Sequence, residues 1–297
     1  MVPAFETRGV TKLYGAEAAL ERVTVAVEPG SVVGLIGKNG SGKTTLLNLV
    51  TGLVVPTSGE VRTLGGESRE LDDATLAEIG YAQQEGRFIE WMTVARHLAY
   101  VASFYPRWDR SLQQRLSEEL ELDNEQDAVV AALSPGNRQK LGLVLAVCHR
   151  PRLILLDEPM ASLDPIARRR VLEHLLGMVR EESSTIVISS HALTDLEKVV
   201  DTVICLDRGR LGFAGSLDHL QESYAEWLLT RRGGALPASF AEPFVLRQEV
   251  NGQRARLLVR TVEAEAATFA LRHGVEVEAR PLRLEEVFPL LVGEEGR

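Results

Sequence analysis

The sequence has little of what disulfide-stabilised, metal-binding and membrane-spanning proteins contain. Its 297 residues include two cysteines, Cys148 and Cys205, in apolar segments without the spacing of a disulfide framework or a metal site. No apolar run approaches the roughly 18–20 residues that span a bilayer. The first residues lack the basic segment and apolar stretch of a secretory signal. We therefore expect two reduced, buried thiols in a protein that stays in the cytoplasm.

An excess of positive charge is also missing. Lysine and arginine total 33, against 42 aspartates and glutamates, which gives a formal net charge of −9. Non-specific nucleic-acid binding relies on basic patches that neutralise phosphates, so we expect no nucleic-acid partner. With 45% apolar residues, the chain has the composition of a globular protein with one large domain and a smaller one.

A glycine-rich loop is the most informative feature that is present. It matches the pattern GxxxxGK followed by Ser or Thr, and it lies between an apolar run, residues 31–36, and a helix-like run, residues 45–50. Its glycines let successive backbone N–H groups face one point, and the following helix adds its positive N-terminal end. The loop therefore predicts a polyphosphate site for ATP. Its residues are Gly37, Lys38, Asn39, Gly40, Ser41, Gly42, Lys43, Thr44 and Thr45.

Charged and polar side chains in and beyond this phosphate loop predict Mg²⁺ binding and catalysis. Lys43 can reach the β- and γ-phosphates, and the Thr44 hydroxyl can ligate Mg²⁺. The apolar segment 153–156 predicts a strand that ends in Asp157 and Glu158. Because successive strand residues point in opposite directions, the two carboxylates should have different roles. We assign Asp157 to the Mg²⁺ shell and Glu158 to orienting or deprotonating the attacking water.

The order of predicted elements indicates an α/β fold with a phosphate-loop NTPase core. Period-two patterns in residues 1–30 predict antiparallel strands, and later alternation of strands and helices predicts a mostly parallel sheet covered on both faces. Helical spacing over residues 86–150 predicts an inserted all-helical subdomain. We expect a nucleotide-binding domain over residues 1–215 and a small α/β C-terminal appendage over residues 216–297.

Local patterns place individual elements in the subdomain and the appendage. In the subdomain, apolar residues recur three and four apart, which is helical spacing; they are Trp91, Val94, Leu98, Val101 and Phe104, and then Leu112, Leu116 and Leu120. In the appendage we predict helices over residues 217–231, 263–272 and 283–291, and strands over residues 244–250, 256–262 and 275–279.

Five further short motifs accompany the phosphate loop and the strand with two terminal carboxylates. They are Thr11-Lys12-Leu13-Tyr14-Gly15, Ile79-Gly80-Tyr81-Ala82-Gln83-Gln84, Leu133-Ser134-Pro135-Gly136-Asn137-Arg138-Gln139-Lys140, Ser162-Leu163-Asp164 and Ser189-Ser190-His191. With these motifs in this order and spacing, residues 1–215 resemble the ATP-binding subunit of ABC transporters.

The resemblance implies a role for one residue in each of four motifs. Tyr14 would stack on adenine, and Gln84 would touch Mg²⁺ and water and communicate with a membrane subunit. Asp164 belongs to a loop that would cross to a second ATPase subunit and take part in nucleotide binding. His191 would contact the γ-phosphate. The expected catalytic residues are Gln84 and His191 together with Glu158 and Lys43.

The remaining motif departs from the family's signature peptide, LSGGQ, at two positions. Ser134 is a natural helix N-cap, and Pro135 at the first helical position loses only an N–H that a helix leaves unpaired. The resemblance implies that the Ser134 hydroxyl and the Gly136 amide bind a γ-phosphate, and Asn137 keeps the amide chemistry of the usual glutamine. We expect a working variant of the signature.

The resemblance also implies partners. In the family, the signature of one subunit completes the nucleotide site of another, so this chain should pair as a homodimer or heterodimer around two ATP molecules. A separate transmembrane permease subunit should dock near Gln84 and residues 85–91 and attach the chain to the cytoplasmic face of the membrane. The segment 104–109 and the appendage resemble those of bacterial antibiotic and bacitracin-type exporters, which favours export.

One alternative is a soluble ABC ATPase outside transport. Translation-type members usually carry two cassettes, and repair-type members insert a long coiled coil for which residues 86–150 are too few. A single-cassette ATPase of cofactor assembly remains open. The appendage itself could be a regulatory ligand sensor or could help two subunits stay together.

Overall fold

The chain forms two compact units, Met1–Ala214 and Gly215–Arg297. The computed structural model describes residues 2–84, 86–260 and 265–293. The strands of the first unit are β1 (Phe5–Tyr14), β2 (Glu17–Val27), β3 (Val32–Ile36), β4 (Ser58–Thr63), β5 (Gly66–Glu67), β6 (Ile79–Ala82), β7 (Leu153–Asp157), β8 (Thr185–Ser190), β9 (Thr202–Asp207) and β10 (Arg210–Ser216). The last two residues of β10 lie past the boundary of this unit. It also contains the helices α1 (Lys43–Val50), α2 (Asp73–Leu76), α3 (Val94–Ala102), α4 (Arg110–Glu119), α5 (Pro135–Val147), α6 (Pro165–Glu182) and α7 (Leu193–Leu196).

The N-terminal strands form an antiparallel sheet in the order β2-β1-β4-β5. Strand β1 pairs antiparallel with both β2 and β4, so that Phe5 lies opposite Val27 and Thr63. Alternate residues of β2, including Val23, Val25 and Val27, are buried, as period-two patterning requires. The predicted antiparallel N-terminal strands are confirmed.

A six-stranded sheet in the order β10-β9-β3-β8-β7-β6 forms the centre of the first unit. Strand β3 pairs in parallel with β8 and β9, and β7 pairs in parallel with β6 and β8. Every residue of β3, β7 and β8 is buried, which explains their continuous apolar runs. Because the strands are parallel, the segments that follow β3, β7 and β8 meet at one sheet edge. The predicted mostly parallel α/β core is confirmed.

The inserted segment between β6 and β7 is built from α3, α4 and α5 with two short 3-10 turns. Helix α3 contains Val94, Leu98 and Val101 of the first run with helical spacing. It begins at Val94, where the Thr93 hydroxyl accepts the Arg96 N–H, and ends at Ala102. Trp91 and Phe104 continue the apolar spacing but lie outside the helix and are 74% and 65% exposed.

The second unit contains α8 (Leu217–Glu222), β11 (Tyr224–Thr230), β12 (Val245–Asn251), β13 (Arg254–Arg260), α9 (Glu265–His273), β14 (Glu276–Pro281) and α10 (Leu284–Leu291). Its antiparallel sheet has the order β12-β13-β11-β14. One face buries a core that includes Trp227, Leu257 and Phe269. Residues 263 and 264 of the predicted helix 263–272 lie outside the described residues.

The predicted helix 217–231 is wrong over its second half. Helix α8 ends at Glu222, and β11 follows as an inner strand between β13 and β14. Ala225, Trp227 and Leu229 are buried, at the period of two that a strand requires. Backbone pairing on both sides therefore overrides a helical pattern that was continuous in sequence.

Both cysteines match their prediction. Cys148 and Cys205 are fully buried and unpaired. Burial raises the pKa of each thiol to about 12, because a thiolate is disfavoured away from water. No helix of the described ranges is both long and apolar enough to cross a membrane.

Candidate active site

The phosphate loop connects β3 to α1 at the sheet edge where the parallel strands end. A Cβ at Gly37 would lie 2.5 Å from the Leu206 carbonyl oxygen, and one at Gly42 would lie 2.6 Å from the Ala19 carbonyl oxygen. Gly42 also has φ +103°, a left-handed conformation that L side chains rarely adopt. The loop can follow this path only with glycine at both positions.

The loop has the unsatisfied groups that a phosphate would bind. Ser41 is 3% exposed, and its hydroxyl has no hydrogen-bond partner among the described residues. Gly42 precedes α1 without a side-chain cap, so the first N–H groups of that helix lack one of their usual acceptors. A cleft of about 440 Å³ opens here, lined by residues 39–45 of the loop among others. An anionic polyphosphate fits this cradle.

Lys43 is held by the loop itself and by a neighbouring carboxylate. Its ammonium donates to the carbonyl oxygen of Gly37 at 2.9 Å, and a longer contact of 3.4 Å reaches that of Lys38. It also lies 3.7 Å from Oε1 of Glu158, and both side chains are only 7% exposed. A buried cation requires such partners. The contact places the predicted phosphate-binding lysine directly beside the predicted catalytic carboxylate.

Asp157 is fixed by two hydroxyl groups. Thr44 donates to its Oδ2 at 2.6 Å, and Ser189 donates to its Oδ1 at 2.5 Å. Asp157 is 1% exposed, and Gln84 lines the same cleft. Thr44, Asp157 and Gln84 are oxygen donors of the kind that Mg²⁺ binds.

The chemistry of this donor set fits a cation that takes its remaining ligands from phosphates and water. Among the residues that the structure describes, no three His, Cys, Asp or Glu side chains are grouped to hold a metal ion. Mg²⁺ is usually bound through one or two carboxylates plus substrate phosphates. The side-chain oxygens of Thr44, Asp157 and Gln84 are therefore enough for the protein's part of such a site.

Glu158 follows Asp157 in a left-handed backbone conformation with φ +49°. Its N–H donates to the Ser189 hydroxyl at 2.9 Å, and its Oε2 lies 2.8 Å from Nδ1 of His191. His191 is 64% exposed, whereas Glu158 is nearly buried. The structure thus brings Lys43, Glu158 and His191 together in the lining of the cleft.

Tyr14 lines the outer part of the cleft with Glu17 and Ala18. It is 50% exposed, and the Lys12 ammonium lies 5.0 Å from its ring centroid. Lys12 thus lies against one face of the ring, and adenine stacking on Tyr14 stays a prediction.

The predicted nucleotide-binding residues outside the phosphate loop and Tyr14 do not line this cleft. The exposed Ser134 is the N-cap of α5, and its hydroxyl accepts the Asn137 N–H at 3.2 Å, with Gly136 in the same turn. Asp164 caps α6 by accepting the N–H groups of Ile166 and Ala167. The pKa of the Asp164 carboxyl lies below its usual value, mainly because of the hydrogen bond from Ala167 and also because of the one from Ile166. The roles of Ser134, Gly136 and Asp164 in nucleotide binding stay predictions.

Two residues that contact the site were not assigned from sequence. Ser189 bonds both Asp157 and the Glu158 backbone, and its position opposite Asp157 in the β7–β8 register could have identified it. Gln139, on α5, donates to the Glu158 carbonyl oxygen at 2.6 Å. Gln139 lies within the motif of residues 133–140, but nothing in that motif marks it as a partner of Glu158, since the contact depends on how α5 packs.

The comparisons with known proteins agree on one family. Residues 20–161 match the family model described as ABC transporter. The bacitracin transport ATP-binding protein BcrA of Bacillus licheniformis is 30% identical, with 77% of this chain and 74% of that protein covered. The Nod factor export ATP-binding protein I of Cupriavidus metallidurans is 29% identical, with 100% of both chains covered.

Solved structures lead to the same family. The structure of an ATP-binding subunit of an ABC transporter is 28% identical with a TM-score of 0.67, covering 73% of this chain and 92% of that one. A dimeric, post-hydrolysis state of an ATP-binding cassette bound to ADP and Pi is 25% identical with a TM-score of 0.65, covering 72% of this chain and 98% of that one. The chain therefore belongs to the ABC transporter family, as an ATP-binding subunit with the fold of its ATPases.

Proposed function

We propose that this chain is the ATP-hydrolysing subunit of a bacterial-type ABC exporter and works as one of two ATPase subunits. The observation that carries the proposal is the contact of Glu158 with both His191 and Lys43 at the end of β7. This arrangement provides a carboxylate that can act as a general base, a positive charge for phosphate and an exposed imidazole in one cleft. Chain-wide similarity to export ATP-binding proteins supports the direction of transport.

In this proposal, each residue acts on the γ-phosphate or on the attacking water. Glu158 accepts a hydrogen bond from the water and orients it or takes its proton, while His191 holds the carboxylate through Nδ1 and faces the opening of the cleft. Lys43 exchanges its carbonyl partners for phosphate oxygens. Bound Mg²⁺, held by Thr44, Asp157 and Gln84, would supply positive charge to the β- and γ-phosphates.

Ser134 and Gly136 supply the second half of each nucleotide site in this proposal. Both lie on the N-terminal turn of α5, outside the cleft of their own subunit, and Ser134 is exposed. A helix N-terminus attracts a phosphate. ATP that contacts the phosphate loop of one subunit and this turn of another favours the closed dimer by its differential affinity. Loss of the γ-phosphate removes that preference and lets the dimer reopen.

A second cleft supports docking of a separate transmembrane permease. It has a volume of about 860 Å³ and adjoins the nucleotide cleft, with Gln84 in the lining of both. Its wall includes Leu53, Phe88 and Tyr100, of which Leu53 is 61% exposed. Partly exposed apolar side chains in a concave surface fit an amphipathic helix of a partner. Residue 85 of the expected docking segment lies outside the described residues.

Replacing Glu158 by Gln tests the ATPase mechanism. The Glu158→Gln variant should lose turnover but keep ATP binding, and it should form an ATP-dependent dimer on size-exclusion chromatography. Replacement of the exposed Glu60 by Gln provides the matched control and should leave turnover unchanged. Hydrolysis at the normal rate by Glu158→Gln would exclude the proposed role of Glu158.

Cell fractionation tests the membrane partner. We expect the chain to sediment with the membranes of its own cells and to be released by an alkaline wash, as a peripheral protein is. Recovery in the soluble fraction alone would favour a non-transport ABC ATPase.

A further inference from the structure

Helix α5, which begins with the signature residues, is hydrogen-bonded through Gln139 to the loop that follows β7 in the same subunit. The side-chain Nε2 of Gln139 donates to the Glu158 carbonyl oxygen at 2.6 Å. Its Oε1 accepts the Ser162 N–H at 2.9 Å. One half-buried amide therefore joins both ends of the loop that follows β7, and it uses a donor and an acceptor to do so.

The backbone of Glu158 depends on outside partners for its conformation. A glutamate with φ +49° occupies a region that residues with a side chain rarely adopt. Such strained residues persist where the surrounding structure over-determines them. Here the N–H is bonded to Ser189 and the carbonyl oxygen to Gln139, so the peptide groups on both sides of the catalytic carboxylate are held.

A second contact fixes α5 against the same loop. A Cβ at Gly136 would lie 2.9 Å from the Ser162 carbonyl oxygen, so the first turn of α5 packs directly on the loop backbone. Ser134, the N-cap, precedes Gln139 by five residues, or about 7.5 Å along a rigid helix. A shift of the N-terminal turn would therefore move Gln139 and, with it, the Glu158 carbonyl group.

We infer that Gln139 is a positioning residue for ATP hydrolysis. It holds Glu158 in place, and it makes the position of Glu158 depend on whether the N-terminal turn of α5, with Ser134 and Gly136, has engaged a nucleotide. The inference rests on the proposed two-subunit mechanism. When Ser134 and Gly136 of one subunit engage the nucleotide of the other, α5 transmits that engagement to Glu158 in its own cleft. The link makes hydrolysis at one nucleotide site depend on occupancy of the second.

The chemistry of Gln139 allows its two hydrogen bonds to be separated. Gln139→Ala removes both bonds, whereas Gln139→Glu keeps an acceptor for the Ser162 N–H but puts a carboxylate oxygen against the Glu158 carbonyl oxygen. Gln114→Ala is the matched control, because Gln114 bonds Glu118 within the exposed face of α4. The three variants are compared with the unaltered full chain in steady-state hydrolysis, ATP binding and thermal unfolding.

We expect both Gln139 variants to lower kcat by about 10-fold or more, since displacement of a catalytic group by about 1 Å costs up to about 100-fold. ATP binding should remain unchanged, and the Hill coefficient for ATP should fall toward the non-cooperative value. Gln114→Ala should match the unaltered chain in steady-state hydrolysis, ATP binding and thermal unfolding. A wild-type kcat in both Gln139 variants, or a lower unfolding temperature with unchanged kcat, would overturn the inference.

The outcomes also separate this inference from the proposed function. Hydrolysis by Glu158→Gln would refute the mechanism itself, whereas inactive Glu158→Gln together with fully active Gln139→Ala would refute only the role of Gln139. A reduced kcat with unchanged cooperativity would overturn the coupling between the two nucleotide sites.

Discussion

The hydroxyl of Thr44 donates to Oδ2 of Asp157 across 2.6 Å and joins the first turn of α1 to the end of β7. The two residues are 113 positions apart in sequence. Their contact brings two of the three expected protein ligands of a Mg²⁺ ion into one place.

Removing the Thr44 hydroxyl should weaken the response to Mg²⁺. We expect Thr44→Val to raise the Mg²⁺ concentration for half-maximal hydrolysis by about 10-fold or more, as loss of groups around a metal does elsewhere. Thr44→Ser keeps the hydroxyl and should respond nearly as the unaltered chain does. Titration of hydrolysis with Mg²⁺ at saturating ATP measures the effect. Equal Mg²⁺ dependence of the Val and Ser variants would contradict the assignment.

Replacing Tyr14 should weaken nucleotide binding without slowing the chemical step. Stacking of a base on an aromatic ring contributes about 1–3 kcal/mol by alanine substitution, so Tyr14→Ala should raise KM for ATP by about 5- to 150-fold. Tyr14→Phe keeps the ring and should keep KM near its normal value. Steady-state kinetics give both parameters, and a lowered kcat with unchanged KM would argue against stacking.

Replacing Pro135 by Gly should preserve hydrolysis or raise it. Pro135 is the first residue of α5 and has no N–H. Glycine would restore an amide beside Ser134 that could face a phosphate, at a small cost in helix stability. The rate of ATP hydrolysis at saturating ATP is the measurement. A large loss of rate would show that the proline belongs to a specialised contact.

Glu226 should stabilise the C-terminal unit in a pH-dependent way. It is 2% exposed and forms ion pairs with Arg256 and Arg280. Burial alone would raise the pKa of its carboxyl, but the hydrogen bonds from Arg280 and Arg256 outweigh it and lower the pKa. Stability from this carboxylate is therefore fully present above the unfolded value of about 4.3 and is lost as pH falls through the lower folded value.

Glu226→Gln should accordingly lower the free energy of unfolding by about 1–3 kcal/mol at neutral pH and by less in acid. Chemical unfolding of the full chain at both pH values measures the difference, with the exposed Glu278→Gln as control. An equal effect of Glu226→Gln at both pH values would contradict the ion-pair account.

Candidate site residues could be predicted from the sequence where they lie within one short segment. The phosphate loop was recognisable because its glycines, Lys43 and Thr44 act through the loop that contains them. Asp157 and Glu158 were identifiable because an apolar strand that ends in two carboxylates is a local pattern. The helix predicted over residues 217–231 was correct at its start, where α8 forms, and wrong over residues 224–230, where pairing with β13 and β14 makes a strand.

The sequence by itself determined the parallel core, the nucleotide motifs and the family, because hydrophobic periodicity and short motifs are written along the chain. Only the tertiary structure decided which side chains hold Glu158. Ser189 is 31 residues away from it and Gln139 is 19 residues away. Such contacts arise where parallel strands end at a common edge and a helix packs on the loop, and neither proximity leaves a periodic trace in the sequence.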